Sequence, residues 1–318
     1  KSTTTDNNGN YKLSDLTSGA YTITPAKASY TFSPNSSGIN VPPDATGVNF
    51  VGTAQKSPLL IIHGIQTTNF AGGYQCKSTP EPFNGSNSTI SNDLPSWFVA
   101  DGYDVWIAYL DSSPLHTSSL QTNAECLRKQ IVYLYNQANQ QKITLVAHRM
   151  GGLVSRACLS FKDCRDKVTN LYTLGSPHGG LNWELVSKIL LGIAEWYLKA
   201  HGIPIPVGEG VCAWQEALCQ MSSESMSGFN DNNHNQQGIN YIFIGGNATP
   251  VGPGTLIWPT EGANDGVVGS QSAIGWTSDT KWFIPGNWAN SSTPAQYWTD
   301  EVHISNFGHA YYDSRDGG

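Results

Sequence analysis

Positive charge is scarce in this sequence. Its 318 residues hold 17 Lys and Arg against 24 Asp and Glu, a formal balance of −7, and the basic residues form no cluster. Binding to nucleic acid requires a basic face that neutralises phosphates, so that class of partner is not expected. Long apolar runs are missing too. The longest, ILLGIAEWYL, is interrupted by Glu195 and falls short of the roughly 18 residues of a membrane span. No C-x-x-C pair and no Cys/His spacing of the zinc type occurs, which argues against a structural zinc site. The first ten residues, KSTTTDNNGN, contain no apolar stretch, so a secretory leader is expected to have been removed.

What is abundant points the same way. Asn, Ser, Thr, Gly and aromatic residues are plentiful while Lys and Glu are few, a balance typical of secreted chains. Six cysteines then read as three disulfides formed in an oxidising compartment. Cys158 and Cys164 are close in sequence, as are Cys212 and Cys219, leaving Cys76 and Cys126, although six cysteines permit 15 connectivities. Glycosylation sequons at Asn35, Asn84, Asn87, Asn247 and Asn290 fit a secreted surface.

Two regions differ in pattern, with a boundary near Ala54. Residues 1–53 carry short alternating runs (NYKLSDL, AYTITPA, YTFSP, GVNFVGT) separated by Asn-Gly, Ser-Gly and Pro-rich turns, which predicts antiparallel β structure. This stretch resembles the carboxypeptidase-regulatory-like, transthyretin-like β-modules appended to many secreted proteins. The one or two strands that normally open such a module are absent, so it is either truncated or completed by packing on the larger domain.

From residue 54 to 318, strands alternate with helices. PLLIIHG is a continuous apolar strand of the kind buried on both faces of a parallel sheet. NDLPSWFVADG reads as a capped helix and YDVWIAYL as the next strand. Between Ser118 and Asn139, the residues Leu120, Ala124, Leu127, Ile131, Leu134 and Ala138 recur at spacings of four and three, one face of a long helix. ITLVAH, VTNLYTLGSPHGG and NYIFIGG supply further strands. Repeated βα units of this kind give an α/β fold with a mostly parallel sheet flanked by helices, and ligands bind at its strand C-terminal ends.

The segment ITLVAHRMGGLVSRA is a strand, a sharp turn and a helix, with Arg149 at the tip. LLIIHGI, LVAHRMGGLVSR, TLGSPHGG, GANDGVV and VHISNFGHAYYD occur in the order and spacing that resembles secreted bacterial lipases of the α/β-hydrolase family. The resemblance covers roughly residues 58 to 312. It implies carboxylic-ester hydrolysis through an acyl-enzyme, with Ser, Asp and His in that chain order. The family elbow usually reads G-x-S-x-G, often A-H-S-M-G-G, so Ala147 is a tolerated change while Arg149 stands where the nucleophilic serine belongs.

At such an elbow the tip residue takes a strained positive φ between strand and helix, which demands the small neighbours Ala147 and Gly151. A serine there can be deprotonated by a histidine and attack a carbonyl carbon. Arginine stays protonated and only donates hydrogen bonds, so this chain is expected to lack esterase activity as written, and Arg149→Ser to restore it.

The resemblance assigns the acid to Asp265 in GANDGVV, where Gly266 permits a turn that exposes the carboxylate, and the base to His309. His303 competes for the base but falls inside an expected final strand. Ser155 lies too far into the elbow helix to replace the nucleophile, and Ser176 is expected to bond its own turn. The oxyanion hole is expected from two backbone N–H groups. One belongs to Met150, at the helix N-terminus, and the other to Ile65, after Gly64. His63, His148 and His178 are read as structural, cleft-lining or supporting residues.

Residues from about 181 to 230 form an insertion in which Leu185, Ile189, Ile193 and Trp196 give a helix one apolar face. In a lipase such a segment is a lid that meets the lipid interface transiently. The expected partner is a lipid or ester substrate. No cofactor is expected; some relatives bind calcium, but no calcium site is legible. Two alternatives stay open on the same letters: a non-catalytic pseudoenzyme that binds acyl ligands, and a polyester or amide hydrolase. Sequence equally leaves open whether Arg149 is a natural or an engineered change.

Overall fold

The structure, a computed structural model, describes residues 1–27, 29–65, 74–90, 93–112, 116–181, 212, 215–246 and the backbone of 295–299. The chain divides into two compact units, Lys1–Lys56 and Ser57–Gly318.

The smaller unit is built from two antiparallel ladders. Strand β1 (Gly19–Ile23) pairs with β3 (Ser37–Val41), setting Tyr21 opposite Ile39, and β2 (Tyr30–Ser33) pairs with β4 (Val51–Ala54). Residues alternate between half-buried and exposed along β2 and β3, as the period of a strand dictates. None of the described residues of this unit is fully buried, so main-chain pairing and half-buried aromatics hold it together.

The larger unit is organised by one seven-stranded sheet. Its strands are β5 (Pro58–Ile62), β6 (Glu81–Pro82), β7 (Asp104–Ile107), β8 (Ile143–His148), β9 (Val168–Leu174), β10 (Asn240–Gly246) and β11 (Ala295–Thr299). They lie in the order β11-β10-β9-β8-β5-β7-β6, and every pairing is parallel except that of the short edge strand β6. β5 and β8 are buried at every residue. Their side chains alternate between two apolar layers. Leu60, Ile62, Leu145 and Ala147 join one, while Leu59, Ile61 and Val146 join the other.

Helices cover both faces. The first layer receives α2 (Leu120–Gln137) and α3 (Met150–Ser160). α2 begins where Ser119 Oγ accepts the Thr122 N–H at 3.0 Å, and it buries Leu120, Ala124, Leu127, Ile131 and Leu134, the face expected from their spacing. α1 (Asp93–Ala100) lays Leu94 and Phe98 on the second layer. A short α4 (Lys162–Arg165) follows α3, and α5 (Glu216–Gln220) and α6 (Ser223–Asn232) close the first layer, burying Ala217, Leu218 and Met226. Disulfides join Cys76 to Cys126, Cys158 to Cys164 and Cys212 to Cys219. Among the described residues, no helix is long and apolar enough to cross a membrane.

The strand order decides where a cleft can form. From β5 the chain moves outward to β7 on one side, then returns to place β8, β9, β10 and β11 on the other. The connections leaving β5 and β8 therefore run on to opposite sides of the sheet, and ligands bind at the strand C-terminal ends at such a reversal.

Candidate active site

Arg149 stands at this reversal, between the end of β8 and the start of α3. Its backbone has φ 51° and ψ −122°, a conformation that costs an L-residue of order 1–3 kcal/mol and persists only when its surroundings impose it. Those surroundings are visible. The Arg149 N–H donates to the Leu174 carbonyl of β9 at 3.0 Å, and its own carbonyl accepts the Gly152 N–H at 3.0 Å. The turn is held by the sheet on one side and the helix on the other.

Three glycines allow close packing at the elbow, against backbone at Gly64 and Gly151 and against the Ser176 side chain at Gly152. A Cβ on Gly64 would lie 2.8 Å from Arg149 Cβ and 3.3 Å from the Met150 amide nitrogen. One on Gly151 would strike the carbonyl oxygens of His63 and Ile62 at 2.6 and 2.8 Å, and one on Gly152 the Ser176 Oγ at 2.1 Å. The loop after β5 thus lies directly against the first turn of α3. Ile65 follows Gly64 on that loop, half-buried against the first apolar layer. The first amides of a helix have no intrahelical acceptor and carry the positive end of its dipole. The side chain of residue 149 leaves the backbone at this junction.

His63 is fully buried and structural. Its Nε2 accepts the Leu110 N–H at 3.0 Å, so the proton sits on Nδ1, which donates to the Gly64 carbonyl at 2.7 Å. Burial pushes its pKa down to about 4, against a smaller upward contribution from the Gly64 bond. His148 is buried at the end of β8.

His178, in the loop after β9, is buried against Phe243, with ring centroids 4.2 Å apart. Its Nε2 lies 3.0 Å from Thr173 Oγ1, and Arg156 Nη1 lies 3.5 Å from its Nδ1. Burial, and next the Arg156 cation, hold the imidazole well below the ordinary histidine range, so it is neutral.

Arg156 itself was not singled out by sequence reasoning, yet it is the largest fully buried side chain among the described residues. Its guanidinium donates to Asn230 Oδ1 at 2.7 Å and the Asn233 carbonyl at 2.8 Å, while Asn230 Nδ2 donates to the His178 carbonyl at 3.0 Å. Burial lowers its pKa to about 10, leaving it charged at neutral pH. α3, α6 and the loop after β9 are tied together through this one cation. A charged residue on a helix ordinarily reads as solvent-facing, and no local signal marks this exception.

Ser155 is buried and returns its hydroxyl to the Gly151 carbonyl at 2.7 Å, within the helix and away from the tip. Ser176 corrects an expectation. Its hydroxyl makes no bond to its own turn and has no partner among the described residues, because it is packed beneath Gly152.

Asp265, His303 and His309 lie outside the described residues. The strand next to β10 is Ala295–Thr299, upstream of the final strand expected around His303. Of the insertion expected at about 181–230, residues 215–230 are built into the core through α5 and α6. Residues 182–211 of that insertion, with the helix expected around Leu185 to Trp196, lie outside the described residues. Among the described residues, no cluster of His, Cys, Asp and Glu could hold a metal ion.

Residues 56–187 match the PGAP1-like alpha/beta domain family. Among solved structures, a mature lipase from Bacillus licheniformis, BlEst2, is 20% identical with a TM-score of 0.49, covering 76% of this chain and 84% of its own. Lipase 1 from Pelosinus fermentans is 15% identical with a TM-score of 0.49, covering 80% and 94%. EstA from Clostridium botulinum is 15% identical with a TM-score of 0.46, covering 81% and 79%. No curated protein matches the chain.

Proposed function

We propose that this chain, whose larger unit has an α/β-hydrolase fold like that of lipases, carries the frame of a secreted carboxylic-ester hydrolase from which the nucleophile is missing. The observation that supports the reading is the backbone at the strand reversal. A left-handed residue joins β8 to α3, and Gly64 is packed against it, so that two loops meet at the N-terminal amides of one helix. That arrangement is suited to holding the oxyanion of an acyl-transfer intermediate.

In this proposal the tip residue would be a serine whose Oγ attacks the ester carbonyl. His309 would take the serine proton and later return it to the leaving alcohol, and Asp265 would orient the imidazole. The N–H groups of Ile65 and Met150 would hold the developing oxyanion. Arg149 ends this chemistry. Its guanidinium has no lone pair to offer a carbonyl carbon, and its bulk takes the place of the scissile bond. The substrate class is a lipid or other carboxylic ester, and the three disulfides accord with secretion. Residues 1–56 would serve as an appended β-module without catalytic residues.

The test is the full chain carrying Arg149→Ser, assayed on p-nitrophenyl esters of increasing chain length, emulsified triglyceride and polyester film. The variant is expected to exceed the parent on at least one of these by about 10³-fold or more. Asp265→Asn or His309→Ala on top should abolish the gain, while His303→Ala should spare it. A folded Arg149→Ser protein as inert as the parent on every ester overturns the reading.

A further inference from the structure

The loop that leaves β5 is fastened from several directions, and the fastener is one side chain. His63 Nδ1–H donates to the carbonyl of Gly64, the next residue, at 2.7 Å. The opposite nitrogen accepts the Leu110 N–H at 3.0 Å, which fixes the tautomer and so determines that Nδ1 is the donor. Ser112 Oγ lies 3.2 Å from the same Nδ1, as a second acceptor for its proton. The ring also packs on Tyr74 at 4.9 Å between centroids, and Tyr74 and Ser112 exchange backbone hydrogen bonds at 3.1 and 2.9 Å. All of this is fully buried at the imidazole.

The bonded carbonyl belongs to the same rigid unit as the next amide. A trans peptide is planar, with C=O and N–H directed oppositely, so fixing the Gly64 oxygen also fixes the direction of the Ile65 N–H. Gly64 is simultaneously pressed on the elbow, its Cβ position 3.3 Å from the Met150 nitrogen. The Gly64–Ile65 peptide is therefore held at both its oxygen and its Cα.

We propose that His63 is a positioning residue for ester hydrolysis: its bond to the Gly64 carbonyl turns the Ile65 N–H toward the place beside the Met150 N–H where an oxyanion forms. This rests on the ester-hydrolase reading. His63 touches neither substrate nor nucleophile and acts through the peptide it holds. Without that bond the peptide can rotate, and a donor that is misaligned in the transition state loses its contribution to kcat while ground-state binding is left in place.

Two measurements test it. In the Arg149→Ser background, His63→Leu removes the donor, and His63→Asn replaces it, because the Asn Nδ2 can occupy the place of the imidazole Nδ1. His63→Leu is expected to lower kcat on a p-nitrophenyl ester by about ten- to a hundredfold with KM within about twofold, and His63→Asn to recover most of the loss. In the chain as written, 13C-carbonyl glycine with 15N isoleucine restricts the NMR spectrum to the five Gly–Ile peptides of the sequence. The Ile65 amide should shift and exchange faster in His63→Leu than in His63→Asn.

Equal kcat values for the two variants, or an Ile65 amide that does not respond to His63→Leu, overturn the positioning role. An inactive Arg149→Ser protein overturns the ester-hydrolase reading. The amide measurement then still decides whether His63 holds the peptide.

Discussion

At the scale of single residues, the elbow is a problem of clearance. Gly151 and Gly152 open the helix as adjacent glycines, and each faces a different neighbour: backbone carbonyls of the β5 loop for the first, Ser176 for the second. Gly152→Ala would put a methyl carbon 2.1 Å from Ser176 Oγ and 2.7 Å from its Cβ, so that side chain or the helix must move. The expected cost is about 1–3 kcal/mol, read as a lower urea midpoint with an unchanged slope. Parent-like stability in that variant would mean that α3 does not press on the β9 loop as described. The elbow glycines, Arg149 and Met150 were all legible as letters, since a left-handed turn between strand and helix restricts what its neighbours can be. Arg156 was not. α3 is buried from Met150 to Leu159, so it has no solvent face on which sequence periodicity could have placed a cation.

At the scale of elements, the long helix and the central strands were the easiest to read. The apolar face of α2 repeats over most of its length, and a strand buried on both sides must be apolar throughout. The insertion was harder. α6 is mostly polar, and its Met226 joins the core cluster that also holds Leu181, Ala217 and Leu218, a meeting that no short spacing announces.

The disulfides divide by span. Cys76–Cys126 closes a separation of 50 residues and attaches the segment before β6 to α2, while Cys158–Cys164 closes only 6 at the end of α3. On the loop-entropy model, replacing the first pair with serine should cost about 4 kcal/mol and the second about 2 kcal/mol. Thermal denaturation of the two double variants checks the ranking. A larger loss from the short loop would show that native packing around Cys158 and Cys164, both fully buried, outweighs chain entropy.

At the scale of the whole molecule, buried histidines set an acid limit. His63 has its pKa lowered to about 4 and His178 lies well below its ordinary value, so the native state keeps both neutral. The unfolded chain protonates them near 6.5. Above that pH their neutrality costs nothing. As pH falls from about 6.5 toward 4, the unfolded state gains protons that the native state refuses, and stability declines. His63 alone accounts for roughly 3 kcal/mol across that window, and His178 continues the loss at lower pH. Urea unfolding at pH 7, 5.5 and 4.5 should give steadily lower midpoints, and the decline should shrink when His63 is replaced by Asn. A flat profile would mean that water reaches these rings.

The sequence by itself determined the period of each element, the α/β class of the larger unit and the identity of the residue at the turn, because strand and helix spacing and the rarity of left-handed residues are local constraints. Cysteine spacing already suggested the three pairs that the structure joins, but which glycine faces which neighbour, which way His63 donates its proton and how a buried Arg156 is satisfied were decided only by tertiary structure. Each of these depends on groups distant along the chain meeting within a few ångströms, and no spacing of letters encodes that distance.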